Sequence, residues 1–328
     1  MLQAAALAKA SAPKARPRPA ELQHLRPSNL AGGLTVAGVA LTTGGGIALA
    51  MQPRLLFWAA GQIVLALALV QWFVVLHECG HDTLFRTRRL HAIVGRIAGA
   101  FAAIPYACWT RIHGRHHRWT GWQDLDPTTA ALVPRVRPRL ERVIVNVCWK
   151  CSIPLFSIIY RLENYWNLPR LFRFFASRTE RIRMARDAAI LLLLYALVAF
   201  LVGPLELVVL VGPALLLSLM AEDVLLLSQH THIPQHVSHG ATVRPFPAIE
   251  QEEFSRSLRL PAWLSTALLH FDAHELHHMY PFVPGYHLHG VAYTPQNEVG
   301  YWGWIRAAKR VPGEVFLFQN RTESGWEI

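Results

Sequence analysis

The sequence predicts an all-α integral membrane protein, with four transmembrane helices in two hairpins and a helical cytosolic cap. Three observations predict it. Hydrophobic residues make up 52% of the 328 and charged residues only 16%, against roughly 25% charged in a soluble domain. Residues 27–53 and 55–76 contain no charged residue, and a helix needs about 20 apolar residues to cross a bilayer. A second apolar pair, 188–202 and 205–221, repeats the arrangement around Gly203-Pro204.

In chain order, residues 1–30 read as a basic, flexible arm rich in Ala, Pro, Lys and Arg. Its apolar start precedes its positive charges, the reverse of a signal peptide. Residues 31–328 form the membrane domain, with spans at about 31–51, 55–76, 188–203 and 205–225. Gln52-Pro53-Arg54 is the first turn and Gly203-Pro204 the second. The cap takes 77–186 and 228–328. Two further apolar patches, 92–109 and 143–160, are broken by Arg96, Pro105, Lys150 and Pro154. They suit interfacial or re-entrant helices better than full spans. Gly44-Gly45-Gly46 inside the first span reads as a helix contact, and Trp119, Trp122, Trp302 and Trp304 read as interface anchors.

The net charge of +11 invites a nucleic-acid reading. The basic residues lie beside apolar segments, where anionic headgroups account for them, so no nucleic-acid partner is expected. Between His77 and Arg186 there are 19 Lys and Arg against 7 Asp and Glu, while the two turns on the other face hold one Arg and one Glu. The positive-inside rule then places the N-terminus and the large loop in the cytoplasm. Four cysteines without a tight framework argue against a disulfide-stapled fold. Cys148 and Cys151 have CxxC spacing, but the second pair of a zinc ribbon is missing, and they read as packing residues.

The 17 histidines carry the functional signal. His77 and His81 are four apart at the end of the second span. His113, His116 and His117 follow, and His274, His277 and His278 repeat that spacing more than 150 residues later. Spacings of three and four put imidazoles on one helix face. One such cluster is as well explained by a solvated surface. Three on one side of a membrane point to metal, and imidazole suits Fe, Zn, Cu and Ni. Eight or nine ligands suit two ions better than one.

At these separations HxxxH, HxxHH and HxxHH resemble the membrane fatty acid desaturase family. The flanking segments HGRHHRWTGWQDLDP (113–127) and HELHHMYPFVPGYHL (274–288) extend the likeness, and Gln229-His230-Thr231 resembles the extra histidine motif of acyl-lipid desaturases. The resemblance covers about residues 34–290. It implies a non-haem di-iron site in the cytosolic cap, with O2 as co-substrate. By position its ligands would be His77, His81, His113, His116, His117, His230, His274, His277 and His278. His232 and His236 are close rivals of His230. The catalytic residues would be these ligands themselves. Asp223, seven residues before His230, is read as orienting that imidazole, and Asp124 and Asp126 as doing so for the second cluster. Neutralising the basic loop is the competing role for all three. The substrate implied is a lipid or fatty acyl chain in an apolar tunnel beneath the metals. The chain has no haem-binding His-Pro-Gly-Gly segment, dinucleotide GxGxxG motif or flavin signature. The electrons are therefore expected from an external donor of ferredoxin or cytochrome b5 type.

Three rivals share some of these residues. A lipid hydroxylase or a carotenoid ketolase or hydroxylase has the same histidine logic. His77-Glu78-Cys79-Gly80-His81 also satisfies the HExxH of a membrane zinc metalloprotease, as does His274-Glu275-Leu276-His277-His278, but that reading leaves most of the histidines idle. A metal carrier would need polar residues within its spans, and the first three have no charged ones. His24, His91, His239, His270, His287 and His289 are left without a role.

Overall fold

The computed structural model describes residues 16–328. Four helices are long and apolar enough to cross a membrane: α1 (Asn29–Ala50), α2 (Leu55–Gly80), α8 (Arg178–Val202) and α9 (Pro204–His230). Between α2 and α8 lie α3 (Arg88–Ala102), α4 (Tyr106–Trp119), α5 (Arg139–Lys150), α6 (Leu155–Arg161, continuing as a π turn to Trp166) and α7 (Leu168–Phe174). After α9 come α10 (Ala262–Ala267), α11 (His274–Met279), α12 (Tyr301–Ala308), α13 (Gly313–Phe318) and α14 (Arg321–Ser324). Two short parallel strands, β1 (Leu258–Arg259) and β2 (Val299–Gly300), pair Leu258 with Val299.

The helices outrun their apolar segments. Backbone hydrogen bonding does not stop where hydrophobicity does, so α2 continues past His77 and α9 to His230, and α8 begins ten residues before the apolar stretch at Ala188. The two broken apolar patches form sharply bent pairs. α3 meets α4 at 95° across Ala103–Pro105, and α5 meets α6 at 115° across Cys151–Pro154.

Close backbone approach joins α1 to α2. A side chain at Gly61 would strike the Ala50 backbone, and one at Gly46 would meet Leu65, whereas Gly44 and Gly45 face open space. Only one glycine of the triplet therefore makes the expected helix contact. Pro213 interrupts α9, and its missing N–H leaves the Val209 carbonyl without its usual donor. Trp58 Nε1 donates to that carbonyl at 3.2 Å. Gln62 spans the next gap, donating to Leu210 O at 2.9 Å and accepting from Ala214 N–H at 3.0 Å.

Glu222 and Asp223, acidic residues near the end of α9, are both engaged by α6. Arg161 pairs with Glu222, and Asp223 Oδ1 accepts from the Ser157 N–H at 2.6 Å. Residues 16–28, expected to belong to a flexible arm, lie along the third-cluster segment instead. Arg16 pairs with Glu252 at 2.8 Å, Tyr280 donates to Pro17 O, and Leu22 is buried. Residues 1–15 of that arm lie outside the described residues. Of the four tryptophans expected at the interface, Trp304 is buried in the core, while Trp302 is exposed.

Candidate metal centre

Four pieces of chain deliver imidazoles to one place. The last turn and C-cap of α2 bring His77 and His81, α4 brings His113, His116 and His117, the final residue of α9 is His230, and α11 brings His274, His277 and His278. They sort into two groups: His77, His81, His113, His117 and His277 in one, and His116, His230, His274 and His278 in the other. Within each group one ligand atom per residue lies within 4.8 Å of all the others. Members of the second and third clusters are thus divided between the groups. The His117 and His278 rings stack at 4.3 Å where the groups meet.

Hydrogen bonds set the direction of the rings. His230 Nδ1 donates to Phe254 O at 2.9 Å. His278 Nδ1 faces Gln251 Oε1 at 2.9 Å, and the Gln251 amide nitrogen is spent on His117 O and Phe246 O. His116 Nδ1 meets Asp126 Oδ2 at 2.6 Å. An oxygen acceptor puts the N–H on Nδ1 and leaves the lone pair on Nε2. Yet the Nε2 atoms of His230, His274 and His278 stand only 2.8, 3.0 and 3.1 Å apart. In the other group His81 and His113 converge at 2.7 Å and His117 and His277 at 3.0 Å, while His77 Nε2 is buried without a partner. His230 and His278, with both Nδ1 atoms on oxygen acceptors, face each other lone pair to lone pair, and these repel unless a cation lies between them. Metal–imidazole bonds of about 2.0–2.1 Å place neighbouring ligand nitrogens roughly 3 Å apart, so the donor set fits two metal ions.

Burial, reinforced by the neighbouring imidazoles, holds His81, His274, His277 and His278 well below the ordinary imidazole range. These rings are neutral near pH 7, the form that binds metal.

The expected carboxylates divide. Asp126 reaches His116. Asp124 instead accepts from the Ser238 N–H at 2.9 Å and from the Ser238 hydroxyl, and meets no histidine there. Asp223 does not orient His230, because Ser157 holds it and Phe254 O has taken the Nδ1 position. Helical spacing placed Asp223 on the correct face but could not show that α6 claims it first. Of the rivals to His230, His232 bonds Ser324 and His236 packs on Trp122 and Phe246.

Several supporting residues escaped the sequence reading. Gln251 and Thr128 orient imidazoles. Buried Arg256 donates to the Ser228, Thr231 and His232 carbonyls, closing the end of α9 beside His230. The Glu275 carboxylate accepts from the Ser257 and Asn297 N–H groups and so anchors α11. Glu78, the general base of the HExxH reading, lies on the Nδ1 side of His77 at 3.3 Å, held by the Thr83 hydroxyl and the Gly285 N–H at 2.8 Å each.

A small chamber of about 40 Å³ adjoins the centre, walled by His77, His113, His116, His230 and His274 together with Phe73, Trp109 and Tyr160.

A family model described as fatty acid desaturase matches residues 53–304. An omega-3 fatty acid desaturase of the endoplasmic reticulum from Vigna radiata var. radiata is 24% identical over 268 residues, 75% of this chain and 65% of that protein. A chloroplastic sn-2 acyl-lipid omega-3 desaturase (ferredoxin) from Helianthus annuus is 24% identical over 250 residues, covering 71% and 53%. An acyl-lipid omega-3 desaturase (cytochrome b5) of the endoplasmic reticulum from Arabidopsis thaliana is 25% identical over 266 residues, covering 75% and 64%. The matched region thus spans between half and two thirds of each of these relatives.

Proposed function

Because this chain belongs to the fatty acid desaturase family, we propose that it is an O2-dependent membrane enzyme that introduces a double bond into a fatty acyl chain of a lipid. Two iron ions would be held by His77, His81, His113, His117 and His277 on one side and His116, His230, His274 and His278 on the other. The observation that carries this reading is the convergence of nine imidazoles in two groups, each ring offering one nitrogen within 4.8 Å of the others in its group. Two bound irons supply, with dioxygen, the oxidant that an unactivated C–H bond requires. Over one turnover the acyl chain loses two hydrogens, and O2 takes up those two hydrogens with two electrons and two protons to leave as two waters. The two electrons come from an external donor of ferredoxin or cytochrome b5 type, both of which stand in the names of relatives.

The chain's own residues hold and shield. Asp126, Gln251 and the Phe254 carbonyl fix three imidazoles with their lone pairs inward. Phe73, Trp109 and Phe271 line the chamber with apolar surface, which disfavours bulk water beside the reacting carbons. The polar ends of α2 and α9 that carry the site, and the basic loop between them, belong on the cytoplasmic side.

The test compares total lipids from a host expressing the wild type with those from His117→Ala and His277→Ala hosts, alongside metal analysis of the purified proteins. The expected result is a wild-type-specific lipid lighter by two hydrogens, with iron in the wild type and loss of both iron and product in the variants. Near-normal turnover in either variant overturns the ligand set. A product heavier by one oxygen moves the reaction to hydroxylation. One zinc and no iron overturns the reading as a whole.

A further inference from the structure

The chamber beside the histidines is too small for an acyl chain, but a second cavity adjoins it. This cavity holds about 530 Å³, within the roughly 300–1,000 Å³ typical of sites that enclose small molecules. It lies among α5, α6, the end of α9 and α13. Leu132 and Phe156 line both spaces and so mark where the two meet.

The lining shows which way the larger cavity opens. Leu140, Ile144, Ile153 and Ile159 line it and are also 72%, 44%, 47% and 48% exposed, so they form its rim. Val145, Leu227 and Leu132 line it and are buried, so they form its interior. The rim is continuous with the exposed apolar residues Val143, Val147 and Ile158 on the same two helices. An apolar surface of this kind beside a basic segment lies in the boundary region of a bilayer. The charged groups in the wall are already engaged. Arg137 pairs with Glu141 at 2.8 Å and lies 3.8 Å over the Phe318 ring, and Ser157 holds Asp223.

We infer that the acyl chain enters sideways from the bilayer, between α5 and α6, as part of a membrane-resident phospholipid, and that Leu132 and Phe156 form the constriction fixing which of its carbons reach the metals. The inference rests on the desaturase reading for what happens at the histidines, but the path itself is a property of the walls. Enlarging the constriction loosens the register of the chain, and filling it closes the path.

The test uses purified full-length protein in phosphatidylcholine vesicles containing a phosphatidylcholine with a mid-chain diazirine, and peptide mapping after illumination. Adducts are expected on the inward-facing Val145 and Leu227 at several-fold the yield on outward-facing Val143 and Val147, and also on Tyr160, which lines only the inner chamber. In Leu132→Trp the Tyr160 adduct should fall at least tenfold while the Leu227 adduct persists. In Phe156→Ala, which removes bulk, the Tyr160 adduct should rise. Adducts confined to outward-facing residues, or a Tyr160 adduct indifferent to both substitutions, overturn the inference. Labelling needs no turnover, so it decides the path even where the wild type makes no desaturated product. With an active wild type, metal-replete Phe156→Ala should spread the double bond over neighbouring positions. An unchanged position in that variant overturns the role of the constriction while leaving the desaturase reading intact.

Discussion

Asp126 accepts from His116 Nδ1 at 2.6 Å and, through its other oxygen, from the Thr128 N–H and hydroxyl at 2.9 and 2.8 Å. Its carboxylate therefore has no freedom to turn away from the imidazole. Partners of this kind commonly account for about 10–100-fold in metal affinity. Asp126→Asn should lower iron affinity within that range and activity with it, measured by titrating iron into the apo protein. Glu78 makes a sharper comparison, because two readings assign it opposite roles. Held by Thr83 and Gly285 beside His77, it is a positioning residue, so Glu78→Gln should retain measurable turnover and bind metal somewhat more weakly. Full loss of activity at unchanged metal content would instead mark a general base. The ligand candidates were legible in the sequence because spacings of three and four are local. Their supports were legible only in part: Asp126 was, but Gln251 and Phe254, which hold His278 and His230, lie 27 and 24 residues from those rings in a segment whose spacing announces nothing. His230 lay between these cases, since its motif was visible but its rivals His232 and His236 were set aside only by their contacts with Ser324 and Trp122.

At the scale of the element, apolar composition located four spans, but it could not show how a broken helix survives in lipid. Inside a bilayer an unpaired backbone group has no water to turn to. Pro213 frees the Val209 carbonyl, and Trp58 and Gln62 on the neighbouring α2 attend to the opened region. Gln62, one of two glutamines in an otherwise apolar stretch, is thus a consequence of a proline some 150 residues away. Gln62→Leu should destabilise the protein by about 1–3 kcal/mol, the usual range for a buried group left without a partner. Adding Pro213→Ala should recover most of the loss, because α9 can then close its own hydrogen bonds. Thermal unfolding of the two single variants and the double variant in one detergent measures the coupling. Additive effects would mean that Gln62 acts through packing alone. The bent pairs follow a related logic: Pro105 and Pro154 visibly break the apolar patches, but the 95° and 115° bends depend on what each half packs against.

Across the whole molecule, the three clusters meet although α11 follows α2 by almost two hundred residues. α11 itself has six residues and is buried throughout, far short of the roughly 12–15 residues at which an isolated helix becomes even marginal in water. What fixes it is external: the Glu275 bonds to Ser257 and Asn297, the docked segment 16–28, and its three imidazoles in the two donor groups. Without metal, the Nε2 lone pairs of His230 and His278, 3.1 Å apart with both Nδ1 atoms on oxygen acceptors, push apart the elements that the hydrogen bonds draw together. Metal that binds only the folded state adds RT ln(1 + [L]/Kd), about 4 kcal/mol at a thousandfold excess over Kd. The contact between α1 and α2 at Gly46 and Gly61 has no such dependence. Removing metal with a chelator should therefore raise amide hydrogen exchange several-fold in residues 254–291 and at the end of α9, and leave the middle of α1 and α2 unchanged. Readdition of iron should restore the protection. Uniform loosening of the whole chain would show that the metals stabilise the membrane helices as well, and no change would show that the protein part of the site is rigid without them. The expected pattern makes the metal pair the closing clamp of a scaffold whose membrane helices are already set.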